Sequence, residues 1–254
     1  MLALIAALAG ACWLYLLYMG WGMGHMDQGA DMLLMPAMTH WNAGDLALVY
    51  LMWVLMMAAM MLPSALPMIR TYAYFVTMEN SAAVVRRSAN FVAGYLLVWM
   101  AFSLIATLAQ WGLLEARLVS PMMESASPVL SGVLLVAAGA FQFTPWKSSC
   151  LTRCRSPASF IFGEWRAGNR GAAIMGLRHG CWCLGCCALL MLLLFVLGVM
   201  NLAWIGVLAV LVLIEKLTAR SSMWPTRALG AVLVLWGGLN LAGAAGLLRY
   251  LPEI

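Results

Sequence analysis

The densest group of metal-ligating side chains lies in the stretch HGCWCLGCC, residues 179–187. It holds His179, Cys181, Cys183, Cys186 and Cys187. Thiolates bind soft ions such as Cu(I) and Zn(II), or iron–sulfur clusters. The spacing differs from the paired C-x2-C motifs of zinc fingers, so this stretch alone leaves the metal open. Because an α-helix turns about 100° per residue, a helix here would place all but Cys181 on one face.

A second cysteine pair precedes this cluster in the stretch CLTRC. Cys150 and Cys154 are four residues apart, which places them on one face if the segment is helical. We expect the pair to approach the cluster from the preceding loop. The alternative is that these small side chains only pack between helices, since free cysteine is among the most buried residue types.

Methionine occurs 21 times and forms a row with helical spacing in residues 46–69. Met52, Met56 and Met60 repeat every four residues, and Met57, Met61 and Met68 form an adjoining row. A thioether is a soft ligand that suits Cu(I). The alternative is packing, because methionine also fills gaps in cores. Pro63 and Pro67 predict a break in the inner half of this helix, of the kind transporters use around binding sites.

The loop at residues 19–44 is rich in methionine and histidine. Its predicted ligands are Met23, His25, Met26, Met35, Met38 and His40. Short spacings would let one flexible loop wrap several thioethers around Cu(I), for which this set is better suited than for zinc. The alternative is a loop that dips into the membrane interface with adaptable apolar side chains.

The composition predicts an integral membrane protein. Hydrophobic residues make up 65% of the 254 residues and charged residues only 9%, with a mean hydropathy of +0.94. We therefore predict an all-α fold, a polytopic bundle of about seven transmembrane helices in a single domain over residues 1–254. The predicted spans are residues 1–19, 46–69, 91–114, 129–145, 182–200, 202–214 and 228–248.

The distribution of basic residues predicts the orientation. All but Arg117 and Arg249 of the 14 lysines and arginines fall in the loops after the second, fourth and sixth spans. The positive-inside rule places these loops in the cytoplasm, with the N-terminus inside and the C-terminus outside. The Cys/Arg-rich loop at 146–180 is then cytoplasmic, in a compartment that keeps thiols reduced. The net charge of +5 is orientation evidence and does not indicate nucleic-acid binding.

No catalytic arrangement is evident in the sequence. It has three histidines and neither a nucleotide-binding loop nor a Ser-His-Asp pattern, so we expect no enzyme. Glu215 and Lys216 predict either an interfacial salt bridge or, for Glu215, a proton acceptor during metal binding. A thiol oxidoreductase that uses Cys183 with Cys186, or the pair Cys150 and Cys154, is an alternative. C-x2-C at a helix start lowers the pKa of a thiol.

Several stretches resemble a bacterial family described as predicted metal-binding integral membrane proteins. The resemblance covers roughly residues 45–220 and rests on WVLMMAAMMLPSALPM (53–68), TPWKSSCLTRCRSP (144–157), the segment 165–204 and the EK pair at 215–216. It implies a multi-pass protein of the bacterial inner membrane that handles copper. The Met/His-rich loop lies outside the matched stretches.

Together these features predict a membrane protein that handles Cu(I) by transport or by delivery to a partner. An accessory factor that holds copper for a membrane cuproenzyme would use the same ligands. The expected partners are the metal ion, the lipid bilayer, and a copper chaperone or cuproenzyme.

Reporter fusions test the orientation. A cytoplasm-active reporter fused after Arg166 should be active, and one fused after Met35 should be silent, because the basic loops stay inside. A periplasm-active reporter should give the reverse pattern. Activity of the periplasmic reporter at Arg166 would overturn both the orientation and the assignment of the thiols to a reducing compartment.

Overall fold

The computed structural model describes residues 2–24, 41–118, 127–218 and 222–245. All its regular elements in these ranges are helical. The α-helices are α1 (Leu2–Gly24), α2 (Ala43–Glu79), α3 (Val84–Glu115), α4 (Pro128–Phe141), α5 (Pro145–Cys154), α6 (Pro157–Glu164), α7 (Gly168–Leu192), α8 (Leu194–Leu197), α9 (Leu202–Leu217) and α10 (Trp224–Ala244). A short 3₁₀ turn, Ser81–Ala83, joins α2 to α3.

The predicted helical class is confirmed for the described residues. Five segments are long and apolar enough to cross a membrane: α1, α2, α3, α7 with α8, and α10. Helices α4 and α5 meet at 67° and make a sixth if counted together as one bent span. Helix α9 has 16 residues. The count of seven spans and the sides of the two termini stay predictions.

Three Ser/Thr-Pro steps set the starts of α4, α5 and α6. Proline suits the first helical position because its fixed φ matches the helix and its missing N–H would be unpaired there. Ser127 and Thr144 each cap their helix by accepting a backbone N–H, from Leu130 at 3.3 Å and from Lys147 at 3.2 Å. The turn at Thr144 redirects the chain, and α5 therefore packs against α7.

Helix α2 continues through both of its prolines, so the predicted break is absent. Pro63 has no N–H to give the carbonyl of Ala59, four residues earlier. The indole of Trp13 on α1 donates to that carbonyl at 3.0 Å. The helix therefore stays intact because a neighbouring helix satisfies the carbonyl that proline leaves free.

Helices α3 and α7 pack closely through glycines. A β-carbon on Gly94 would collide with the carbonyl of Ala173, and one on Gly176 would collide with the carbonyl of Phe91. Small residues let helix backbones approach in this way in membranes. This contact fixes the position of α7 along the axis of α3.

The segment 146–180, expected as a loop, is largely helical. It contains α5, α6 and the first half of α7. Helix α7 begins at Gly168, well before the predicted span at 182, because the polar residues ahead of the apolar run continue the same helix. Its cysteines therefore lie within a helix rather than at its start.

The glycine contact gives a stability test. Replacing Gly94 with leucine should lower stability by about 1–3 kcal/mol or more, because the added side chain has no space against Ala173. Gly112→Ala on the same helix meets nothing within 4 Å and should be neutral or stabilising. Thermal unfolding in detergent measures both. Equal melting temperatures for the two variants would contradict the packing.

Candidate metal centre

The cysteine-bearing face of α7 is buried and turned inward. Cys183 is 0% exposed, while Cys186 and Cys187 are each 1% exposed. Cys181 is exposed. The helical spacing in the sequence therefore separated the inward thiols from the outward one correctly.

Cys183 lies in a polar contact deep in the bundle. The ammonium of Lys216 on α9 donates to Cys183 Sγ at 2.9 Å and to Ser64 Oγ on α2 at 2.7 Å. The hydroxyl of Tyr95 on α3 lies 3.2 Å from the same sulfur. A buried ammonium needs a compensating partner, and a thiolate is the only anionic form that this sulfur can offer. Lys216 therefore favours the metal-binding form of Cys183.

Cys187 faces a methionine on α2. Its Sγ lies 4.0 Å from Met61 Sδ. Two sulfurs that share one metal at about 2.3 Å each, the length of a zinc–sulfur bond, would lie roughly 4 Å apart. The thiols of Cys186 and Cys187 both donate to the backbone carbonyl of Cys183, at 3.1 and 2.9 Å. Three cysteines of one helical turn thus converge beside a thioether.

Helix α5 brings one further thiol to this group. The thiols of Cys154 and Cys186 lie close enough to interact. Cys150, also predicted as a ligand, is buried against α7 where Gly185 leaves space, since a β-carbon there would lie 2.9 Å from its sulfur. We call Cys154, Cys183, Cys186, Cys187 and Met61 the sulfur cluster.

His179 lies one helical turn before Cys183 in an aromatic box. Its ring stacks on Tyr95 and Phe91, with centroids 5.5 and 6.2 Å away, and meets the edge of Phe160 at 5.6 Å. It is 2% exposed, and Nδ1 has no hydrogen-bond partner among the described residues. The structure thus places this predicted ligand beside the cluster with one free ring nitrogen.

A buried ion pair holds the three helices around the cluster. Lys147 on α5 donates to Glu215 Oε2 on α9 at 2.7 Å and to the carbonyl of Cys186 on α7 at 2.6 Å. Lys147 is 0% exposed and Glu215 is 3% exposed. The EK pair therefore has two separate partners, Lys147 for the glutamate and Cys183 for Lys216. Both residues are buried, and the role of Glu215 as a proton acceptor stays a prediction.

The other predicted methionines have different positions. Met52, Met56 and Met60 lie on α2 and are buried in the core of the bundle. The thioether that contacts a described thiol is Met61, in the adjoining row. Met23 is on α1 with its side chain outside the described residues, and His25, Met26, Met35, Met38 and His40 lie outside them altogether.

The chemistry of the donor set is soft. Within the described ranges, no group of three or more His, Cys, Asp or Glu side chains is arranged to hold a metal ion. The thiols of Cys186 and Cys187 instead donate hydrogen bonds to a backbone carbonyl, so metal binding requires small rotations of their side chains. Among the described residues, the donors at this point are thiols, one thioether and the ring of His179, and the carboxylate of Glu215 is paired with Lys147. This set favours Cu(I) over harder ions.

Sequence reasoning missed the polar partners of the cluster. Lys216 and Tyr95 contact Cys183, Ser64 contacts Lys216, and Lys147 contacts Cys186. One signal existed, because lysines beside long apolar runs are costly and mark functional sites by default. That signal identifies the lysines and leaves their partners unknown.

The ion pair gives a second stability test. Lys147→Met should destabilise the protein by about 3–5 kcal/mol, because it leaves the Glu215 carboxylate buried and unpaired. The double variant Lys147→Met with Glu215→Met should recover most of that loss. Arg178→Ala, which removes a partly exposed pair with Glu164, should cost at most about 1 kcal/mol. Thermal unfolding in detergent is the measurement, and a double variant no more stable than the single one would contradict the pairing.

One protein family matches most of the chain. Its model, described as PpoB2, copper chaperone, matches residues 50–240, which include six of the seven cysteines and the whole sulfur cluster. Comparisons with curated proteins and with solved structures gave no match. Because the family match spans well over half of the sequence, the chain belongs to the PpoB2 copper chaperone family.

Proposed function

We propose that this protein is a membrane-embedded copper(I) chaperone of the bacterial inner membrane. It holds Cu(I) at the sulfur cluster between α2 and α7 and passes it to a partner cuproprotein. The family match supports copper handling in general. The observation that carries the proposal is the approach of Cys187 Sγ to Met61 Sδ, beside three more buried thiols.

The surroundings of the cluster suit a carrier that must release its metal. A thioether is a neutral, weaker donor than a thiolate, so a mixed site binds Cu(I) without the full charge of an all-thiolate site. Lys216 offsets the charge of the Cys183 thiolate when no metal is bound there. Both features reduce the cost of giving the ion up.

Removing the three α7 thiols tests the site. The reduced wild-type protein should bind Cu(I) far more tightly than Zn(II). The variant with alanine at Cys183, Cys186 and Cys187 should lose most of the copper. Cys12→Ala, a buried cysteine on α1, and Cys181→Ala, an exposed one, should retain it. Copper is measured per protein by competition with a chromophoric Cu(I) chelator. Equal copper in the triple variant and in the two controls would reject this site.

A single methionine gives a finer test that is less disruptive to folding. Met61→Leu conserves volume and removes the thioether, so Cu(I) affinity should fall by at least about tenfold, or ~1.4 kcal/mol. Met60→Leu changes a neighbouring buried methionine of the other row and should leave affinity unchanged. The same chelator competition measures both. Equal affinities in the two variants would remove Met61 from the site.

Transport across the membrane is the second candidate function. Its support is the buried row Met52, Met56 and Met60, which continues along α2 on the N-terminal side of Met61. Copper uptake into sealed vesicles separates the two functions, because a chaperone binds copper without moving it across. Flux that depends on Met52 and Met56 would favour transport.

A thiol oxidoreductase would instead form a disulfide between Cys183 and Cys186 during turnover.

A further inference from the structure

A cavity of about 270 Å³ lies among α2, α5, α7 and α9, next to the sulfur cluster. Cys154, His179 and Lys216 form part of its buried wall. Arg155 and Thr218 line its half-exposed side. The cavity therefore connects the sulfur of Cys154 with a partly exposed edge of the bundle.

The lining of this cavity is cationic. Lys216 and Arg155 each contribute a positive charge, while Cys183, the partner of Lys216, is not among the lining residues. No carboxylate belongs to the described residues that line the cavity. The nearby carboxylate of Glu215 is engaged by Lys147. A positive cavity repels a bare Cu⁺ ion and concentrates anions. Charge thus argues against entry of copper as the free ion.

One residue that lines this cavity, His179, carries a buried ring nitrogen without a partner among the described residues. His179 Nδ1 makes no hydrogen bond to any described residue, although buried polar groups are satisfied in the great majority of cases. The hydroxyl of Ser64 also lines the cavity, beside the Lys216 ammonium. A polar occupant would lie beside the His179 ring and meet the positive charge at once.

The size of the cavity limits that occupant. At about 30 Å³ per water, it holds roughly the volume of nine waters, which suits a ligand of few heavy atoms. A copper ion bound by two thiolates carries a net charge of −1 and can be this small. We infer that the cavity receives Cu(I) as an anionic complex with small thiolates, and that Cys154 is its first protein ligand. This inference rests on the proposed function.

The transfer is a ligand exchange without redox change. The sulfur of Cys154 forms a bond to copper, and the bond from copper to one carrier sulfur breaks. The proton of the Cys154 thiol moves to the leaving carrier thiolate, which departs as a neutral thiol. Copper stays Cu(I) throughout. Cys186, a thiol of α7 that interacts with Cys154, is then placed for the next exchange.

The rate of copper transfer from two donors tests the charge of the cavity. One donor is Cu(I) with excess mercaptoacetate, which is anionic, and the other is the cationic Cu(I)–acetonitrile complex. Thr218→Glu places a negative charge in the lining, so transfer from the thiolate donor should slow by about tenfold or more. Transfer from the acetonitrile donor should not slow. Absorption of the new copper–sulfur bonds gives both rates in a stopped-flow experiment.

Thr71→Glu is the matched control. Thr71 and Thr218 are both half-buried threonines whose hydroxyls donate to the carbonyl four residues earlier, but Thr71 does not line this cavity. It should leave both rates unchanged. Equal slowing by the two variants, or equal slowing of the two donors by Thr218→Glu, would overturn the inference.

Cys154→Ser tests the first ligand. It should slow transfer from the thiolate donor, whereas Cys12→Ser, at another buried cysteine, should not. Unchanged transfer in Cys154→Ser would overturn the role of Cys154. The copper bound at equilibrium separates this inference from the proposed function. Wild-type protein that binds no copper from either donor refutes the function, whereas full binding with rates insensitive to charge refutes only the access route.

Discussion

Two buried ammonium groups organise this structure. Lys147 and Lys216 both lie inside a bundle whose walls are apolar, where an unpaired charge is too costly to persist. Each lysine therefore demands a partner from another helix. Lys147 takes Glu215 and the carbonyl of Cys186, and Lys216 takes Cys183 and Ser64. These demands draw α2, α5, α7 and α9 to one point, which is also where the thiols meet.

The placement of soft donors beside fixed positive charge explains how the cluster suits a transient cargo. Sulfur is a polarisable, soft donor and therefore prefers Cu(I) to hard cations such as Mg²⁺ or Ca²⁺. Under the proposed function, Lys216 would take over the sulfur of Cys183 when copper leaves. The protein would then need no large rearrangement between its loaded and empty forms, because one cation would replace another at the same thiol.

Local periodicity predicted much of this arrangement. The 100° turn of a helix was enough to assign His179, Cys183, Cys186 and Cys187 to the inward face of α7 and Cys181 to the outward one. Hydropathy was enough for the helical class and for the long apolar helices. Contacts between different helices could not be predicted in this way. Spacing within one helix does not reveal that Lys216 contacts Cys183, or that Met61 rather than Met60 contacts Cys187. The predicted break at the prolines of α2 was wrong for the same reason. The group that satisfies the carbonyl left free by Pro63, the indole of Trp13, lies on a different helix.

The glycine contact between α3 and α7 also restricts how this family can change in length. Gly176 fixes α7 against Phe91, and the thiols follow two to three turns later on the same helix. A residue inserted or deleted between Gly176 and Cys183 would rotate every thiol by about 100° and shift it by about 1.5 Å along the axis. In this part of α7 a substitution therefore preserves the register of the thiols, whereas a change of length alters it.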